Sequence, residues 1–346
     1  MTKFDLNKTH LDRKQEHLKL SLNQENNNGI ISGFEDYYFI HNALPEISLE
    51  EINTKITLFN KELNLPIMIS PMVGGIKEAE KINKDLAKVA SIAKIAMGVG
   101  SQRIAIDNNN LKSTYKVRDI APDIVLFANL GAVQLNYGFG LKECQSAVDM
   151  IGADALFLHL NPLQEALQIE GNYNFKNLLS KIKNICEKLD KPVFVREIGF
   201  GISSEVALKL KTAGVKGIDV GGSGGTSWLE IEKARLEKSN LKEAAQFFKN
   251  WGIPTAKSLL MVKESCPDLF IIASGGIRTG IDVAKAIALG ADMVGVALPM
   301  LKYIKISIEA CLNYIKEIET GLRIAMFCIG AANIKQLKNN ISLKKY

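Results

Sequence analysis

The stretch Ile271-Ile272-Ala273-Ser274-Gly275-Gly276-Ile277-Arg278-Thr279-Gly280 decides the reading of the chain. It opens as an apolar, β-branched run of the kind that forms a buried strand. It breaks at paired glycines and resumes as a helical pattern over 282–289. Strand, glycine turn and helix together bring bare backbone N–H groups to the positively polarised start of a helix, which holds a phosphate well. The plainer alternative is a tight turn with no ligand, because glycine serves turns of every kind. After Gly290-Ala291 a further apolar run, 293–297, begins another unit. Two βα units so late in a chain of 346 residues suit the last strands of a (β/α)8 (TIM) barrel, where phosphates are commonly bound.

Working outward, apolar runs over 66–70, 95–99, 124–128, 155–160, 192–196, 217–220, 270–274 and 293–297 supply eight strands. Helical patterns separate them over 79–93, 140–151, 175–189, 203–213, 255–265, 282–289 and 303–320; the unit after the second strand is less regular. This alternation implies an α/β fold with a parallel sheet covered by helices. An open doubly wound sheet is the competing architecture, and eight repeats with a late phosphate turn favour closure. The predicted organisation is an N-terminal extension over 1–64, a barrel over 65–332 and a polar tail over 333–346, loosely held at its end. Within the extension, 1–20 is a basic amphipathic helix, 23–33 a polar loop and 53–59 a possible strand. A charged insertion over 228–252 follows the sixth strand, either as a lid or as a solvated helical hairpin.

A hydrophobic content of 47% fits a large core, and 23% charged residues argues against general disorder. The net charge of +6 comes from scattered lysines, which suits an anionic small ligand rather than nucleic acid. The five cysteines, Cys144, Cys186, Cys266, Cys311 and Cys328, form no C-x-x-C pair and read as reduced thiols. With no apolar signal core and no bilayer-length apolar run, the expectation is a soluble, cytoplasmic protein.

In a barrel, residues just past each strand meet at one mouth. Glycines collect there after strands 1, 2, 5, 6 and 7, allowing backbone to approach a flat or phosphorylated ligand. The turns after strands 6, 7 and 8 can together hold one phosphate. Asn, Gln, Ser, Arg, Glu and a His converge from strands 2 to 5, a polar rim suited to a cofactor with a planar ring and a phosphate tail.

At these residues the chain resembles the type 2 isopentenyl-diphosphate isomerases, which are flavin enzymes. The matching stretches are Arg13-Lys14-x-x-His17, His41-Asn42-Ala43-Leu44-Pro45-Glu46, Met72-Val73-Gly74-Gly75, Gly100-Ser101-Gln102-Arg103, Asn129-Leu130-Gly131 and His159-Leu160-Asn161-Pro162-Leu163-Gln164-Glu165. They continue with Gly199-x-Gly201-Ile202-Ser203, Gly224-Gly225-Thr226-Ser227-Trp228 and Ser274-Gly275-Gly276-Ile277-Arg278, so the likeness spans nearly the whole chain. It implies interconversion of isopentenyl and dimethylallyl diphosphate without net redox, in isoprenoid biosynthesis. It also implies FMN in its reduced form, NAD(P)H as reductant, Mg2+, and a homo-oligomer, a tetramer or octamer.

By the same resemblance, Gln164 lies near the alkene carbons and Glu165 holds Mg2+ against the diphosphate. A hard cation takes a carboxylate with phosphate oxygens and waters, although a Glu here is also an ordinary helix-start carboxylate. Gln164 cannot ionise, so its role is positioning. His159, Asn161, Ser101, Arg103 and Ser203 are implied substrate contacts, and His159 is also a catalytic candidate. Arg13, Lys14 and His17 resemble the diphosphate clamp, where Arg supplies bidentate donors. For FMN the resemblance points to Ser70, Pro71, Met72, Ser101, Asn129, Thr226, Gly275, Gly276, Arg278, Ala297 and Leu298.

Two departures stand out. Arg196 replaces the family's usual Lys at the end of strand 5; it keeps the charge that would stabilise an anionic reduced flavin but hydrogen-bonds differently. Val73 replaces the usual Thr, which removes a hydroxyl contact to FMN. A 2-hydroxy-acid oxidase on the same scaffold would carry a His-Gly-Gly-Arg segment where this chain has Gly-Ser-Gly-Gly-Thr-Ser-Trp. A nucleotide dehydrogenase would need a Cys in a glycine loop, and none of the five sits in one. A phosphate-binding protein without catalysis would not need the Gln164-Glu165 pair.

Overall fold

The computed structural model describes residues 3–23, 31–338 and 340–346. In chain order the helices are α1 (Lys3–Asn23), α2 (Lys77–Ala93), α3 (Arg103–Asp107), α4 (Leu141–Ile151), α5 (Pro162–Leu167), α6 (Leu178–Lys188) and α7 (Ser204–Thr212). They continue with α8 (Trp228–Arg235), α9 (Asn240–Gln246), α10 (Thr255–Ser265), α11 (Gly280–Ala288), α12 (Leu298–Ile306), α13 (Ile308–Phe327) and α14 (Ile334–Lys338). The strands are β1 (Tyr37–Phe39), β2 (Ile56–Leu58), β3 (Lys61–Leu63), β4 (Ile67–Ile69), β5 (Ala96–Gly98) and β6 (Leu126–Gly131). β7 (Ala155–Leu160), β8 (Val193–Glu197), β9 (Gly217–Asp219), β10 (Phe270–Ser274), β11 (Met293–Val296) and β12 (Leu343–Lys345) complete the set.

Strands β4 to β11 close into a parallel barrel in sequence order, β11 pairing with β4 through Val294 and Ile67. The open doubly wound sheet is thereby set aside. All eight expected strands are present, within about three residues of their expected ends. They read as continuous apolar runs because both faces are buried: helices cover one, the barrel interior the other. On α2, Ala79, Ile82, Leu86, Val89 and Ala90 recur at helical spacing and form the face buried on the sheet.

The bottom of the barrel is closed by aromatic packing. Phe127 and Phe157 stack at 4.5 Å, and Phe194 meets Phe127 edge-on at 5.3 Å. Phe59 reaches this cluster from below at 6.1 Å from Phe127. It sits in the turn between β2 and β3, where Phe59 and Asn60 both have positive φ, as a two-residue hairpin of the primed type requires. The strand expected over 53–59 is thus only Ile56–Leu58, one arm of a plug. Lys61 fastens the other arm, donating to Asp154 and to the Ile124 carbonyl.

Three other expectations change. The helix expected over 303–320 is two helices, because Ser307 is extended and N-caps α13 by accepting from the Ala310 N–H. The tail is not loose at its end: Leu343–Lys345 pairs antiparallel with Tyr37–Phe39 and ties the extension to the C-terminus. The insertion after β9 is helical as α8 and α9, but α8 is not solvated, since Leu229, Ile231 and Glu232 are buried. The polar loop expected over 23–33 lies mostly outside the described residues.

Candidate active site at the barrel mouth

One cavity of about 260 Å³ occupies the C-terminal mouth of the barrel. Of the residues named from the sequence as site candidates, only Ser203 does not line it. Ser203 instead N-caps α7, its hydroxyl accepting from the Val206 N–H. A serine before a helix looks alike in sequence whether it caps or binds. The cavity is roofed by α1 and α8, so the N-terminal extension and the insertion build one wall together.

On the glycine side, two turns from different strands lie in backbone contact. A Cβ on Gly275 would collide with the Gly222 carbonyl, and one on Gly276 would lie 2.8 Å from the Gly224 carbonyl oxygen. Arg278 ties the turns together, donating to the Gly224 carbonyl at 2.9 Å and the Gly276 carbonyl at 3.1 Å. The helix after this turn differs from expectation. The start of α11 is closed by its own capping box, in which Asp282 accepts from the N–H groups of Arg278 and Thr279. A phosphate here would instead meet the turn backbones and the start of α12, where Ala297 and Leu298 line the cavity. Ser70 supplies a buried hydroxyl oxygen with no hydrogen-bond partner, the kind of orphan a ligand satisfies. The cradle without side chains and the orphan Ser70 hydroxyl both fit a phosphorylated planar cofactor.

Asn129 donates to the Val99 carbonyl and accepts from His159 Nδ1 at 2.9 Å. Its amide is therefore mostly committed, with one N–H left over. Burial, then the charges of Arg196 and Lys14, push His159 down to about 3. The ring is neutral, Nδ1 carries the proton, and Nε2 is an acceptor. His159 Nε2 thus has no proton to give at neutral pH. Arg196 follows on β8, opposite His159 in register, with its guanidinium 5.6 Å from the Phe157 ring centre.

On the other side, Asn161 ends β7 and Pro162 starts α5, which presents Gln164 and Glu165 from its first turn. Asn161 Nδ2 donates to Gln164 Oε1 at 2.9 Å and Glu165 Oε1 at 3.0 Å. Glu165 Oε2 accepts from the Asn172 N–H. Glu165 is buried, yet no basic residue among those described pairs with it. Among the described residues no cluster of three His, Cys, Asp or Glu could hold a metal. Arg13 and Arg103 act on Glu165 electrostatically without a direct ion pair. A cation here would need ligands brought by the substrate, and a carboxylate free of a direct ion pair fits such a cation.

The roof carries the cations. Arg13 has a buried Nη1 without a partner, and Arg103 donates to Asn172 Oδ1 at 3.0 Å. Lys14 differs from expectation. Its three N–H groups go to the Gly74 carbonyl at 2.7 Å, the Tyr115 hydroxyl at 3.0 Å and the Ser101 carbonyl at 3.1 Å. It pins α1 to the barrel and offers an anion charge rather than a direct bond. Burial, then Arg13 and Arg103, push it down to about 7.

Sequence reasoning missed Glu232. This carboxylate of α8 is almost wholly buried and accepts from Gln164 Nε2 at 2.9 Å. His17 Nε2 lies 2.9 Å from its Oε1, and Arg235 donates to its Oε2 at 2.8 Å. Burial would raise Glu232, but its close contact with His17 and its bonds from Arg235 and Gln164 hold it below the usual carboxylate range. Trp228 and Glu232 are four residues apart, hence on one helical face, and that was the available signal. Glu197, also missed, has an Oε2 that accepts from the N–H groups of Ile198, Gly199 and Phe200 and shapes the turn after β8. Burial pushes it up to about 7 despite these donors.

Known proteins resemble this chain in sequence and in fold. Isopentenyl-diphosphate delta-isomerase of Synechocystis sp. is 50% identical over 326 residues, covering 94% of this chain and 93% of the relative. The chain belongs to the isopentenyl-diphosphate delta-isomerase family. The enzyme of the same name from Rickettsia prowazekii is 49% identical over 327 residues, 94% of this chain and 96% of the relative. The FMN-dependent dehydrogenase family model matches residues 164–344, from Gln164 through the glycine turns after β9 and β10. Solved structures show the same fold: mandelate oxidase with (S)-2-phenylpropionate at a TM-score of 0.62 and 17% identity, covering 96% of this chain and 90% of that one. A putative lactate oxidase of Pediococcus acidilactici gives 0.62 and 19%, covering 95% and 87%. This chain and these oxidases therefore share a barrel fold.

Proposed function

We propose that this protein interconverts isopentenyl diphosphate and dimethylallyl diphosphate in isoprenoid biosynthesis, using FMN without net redox. The observation that carries the reading is the buried pair Gln164-Glu165 sharing one cavity with Arg13, whose buried Nη1 has no hydrogen-bond partner. A diphosphate needs cations at one end, and the hydrocarbon needs a site that holds an uncharged alkene at the other. Ser70, Asn129, Thr226 and the paired glycines would hold FMN, which in its reduced form supplies the acid/base group for proton transfer at carbon. Arg13 and Arg103 bind diphosphate oxygens, and Lys14 adds charge from behind. Glu165 would hold Mg2+, which would offset the charge of the diphosphate. Gln164, fixed by Asn161 and Glu232, orients the alkene. His159 Nε2 accepts a hydrogen bond and moves no proton. The walls from α1 and α8 exclude water, which keeps charge interactions strong.

The same reading carries NAD(P)H as reductant, a homo-oligomer of four or eight chains and a cytoplasmic location. No helix of the described residues is long and apolar enough to cross a membrane. The test is anaerobic reduction of the FMN-loaded protein, followed by NMR of isopentenyl diphosphate in D2O with and without Mg2+. Deuterium entering dimethylallyl diphosphate is expected. No conversion and no exchange would reject the activity, and equal rates without Mg2+ would reject the metal.

Lys14 gives a pH signature. Its pKa, lowered to about 7, leaves it mostly neutral at pH 8 in the free protein. A bound diphosphate favours the ammonium and raises that pKa, so binding above pH 7 takes up a proton and weakens as pH rises. Below pH 7 the group is already charged and the uptake vanishes. Calorimetry at pH 8 in buffers of different ionisation enthalpy is expected to show an uptake approaching one proton. Lys14→Met is expected to abolish it; retained uptake in that variant would contradict the assignment.

A further inference from the structure

In the closed barrel, His159 on β7, Arg196 on β8 and Asp219 on β9 are register partners on neighbouring strands. Register partners in a parallel sheet share a face, so the three side chains form one row across the mouth. Asp219 is wholly buried and belongs to no role described so far. Its Oδ1 accepts from the Ser274 hydroxyl at 2.5 Å and the Gly221 N–H at 3.3 Å. Its Oδ2 has no hydrogen-bond partner and faces Arg196 Nε at 3.3 Å, within ion-pair distance but not aligned for a hydrogen bond. Burial raises the Asp219 pKa, and Arg196, the Ser274 hydroxyl and the Gly221 N–H oppose it; a proton on Oδ2 would find no acceptor, whereas a charged Oδ2 faces the guanidinium, so the geometry favours the carboxylate. Asp219 sits behind Arg196 and draws on part of its charge.

We propose that Asp219 is a positioning residue that holds Arg196 and limits the positive charge it presents to the flavin, and so sets the preference of the site for reduced over oxidised FMN. The proposal rests on the flavin reading above. Lys, the usual residue at the Arg196 position, has a compact ammonium; Arg has a wide, always charged fork, for which a fixed counter-charge matters more. Removing the carboxylate frees that charge to stabilise an anionic reduced ring. With Arg196 gone, a buried Asp219 has no cation to face and takes a proton, so its removal then changes nothing.

The experiment measures the affinities of the purified protein for oxidised and reduced FMN, and the midpoint potential of the bound flavin. Asp219→Asn is expected to raise the reduced-to-oxidised affinity ratio at least tenfold, equivalent to about 30 mV for this two-electron couple. In an Arg196→Met background the same substitution is expected to change the ratio less than threefold. Ser274→Ala removes a donor that shares the Asp219 charge; the ratio is then expected to fall, and this holds as a test if Asp219→Asn does not fold. An unchanged ratio in Asp219→Asn, an equal shift in the Arg196→Met background, or a rise in Ser274→Ala would overturn the proposal while leaving the flavin reading intact. A parent chain that binds no FMN would sink both.

Discussion

Replacing Glu232 by alanine is expected to lower kcat/KM for isopentenyl diphosphate by on the order of 10²–10³-fold and to lower Tm by several degrees. Three partners depend on this one buried carboxylate: Gln164, His17 and Arg235. Arg235 is itself nearly buried and also reaches Glu16 of α1 and Glu170 of the loop after α5. Deleting one partner of a buried charge pair costs about 3–5 kcal/mol, because the remaining charge stays buried. The kinetic loss has a separate source. Gln164 keeps its bond from Asn161 but loses the acceptor for its own N–H, so its amide is free to turn. Misplacement of about 1 Å near the reacting atoms costs about 10²-fold. His17 loses its contact at the same time, which loosens α1 over the proposed diphosphate site. Glu232→Gln keeps the volume and one acceptor oxygen, so it separates the two losses: stability is expected to recover in part, and kcat/KM to stay low. Steady-state kinetics with thermal unfolding of both variants checks this. A Glu232→Ala enzyme with parental kcat/KM would mean Gln164 needs no support from α8.

The barrel and the polar rim were legible in the sequence for one physical reason. Parallel strands buried on both faces must be apolar throughout, so β4 to β11 appear as runs, and the turn residues after them fall at one end. Arg13, Gln164, Asn129 and Gly276 could thus be assigned to one mouth before any coordinates. What stayed hidden was charge that is buried by a distant element. Glu232 lies in Glu230-Ile231-Glu232-Lys233, which reads as a solvated helix face, and only the packing of α1 and α5 on α8 removes it from water. Asp219 was the more visible case, a lone carboxylate in the apolar run Gly217-Ile218-Asp219-Val220. A carboxylate in a buried strand demands a partner, and Arg196 is at the matching position one strand away. Lys14 lines the cavity, but composition cannot tell an ammonium that points at a ligand from one that is already satisfied.

Gly275→Ala is expected to reduce FMN affinity by on the order of 10²-fold or more, with the barrel still folded. Two effects combine at this position. Its φ of 106° lies where L-residues are strained, a cost of about 1–3 kcal/mol. In addition the methyl would meet the Gly222 carbonyl of the neighbouring turn, so the two turns must part. Parting them breaks the reach of Arg278 from Gly276 to Gly224, which sets the spacing of the proposed phosphate cradle. The two effects can be told apart on this chain. Gly138 has a similar φ of 91°, but a Cβ there would meet nothing within 4 Å. Gly138→Ala therefore carries the backbone strain alone, at a site away from the mouth. It is expected to lose a little stability and to keep FMN. Equilibrium FMN binding and thermal unfolding of both variants give the comparison. If Gly275→Ala bound FMN as tightly as Gly138→Ala, the closeness of the two turns would have no part in holding the phosphate, and the cradle would have to be sought at the start of α12 alone.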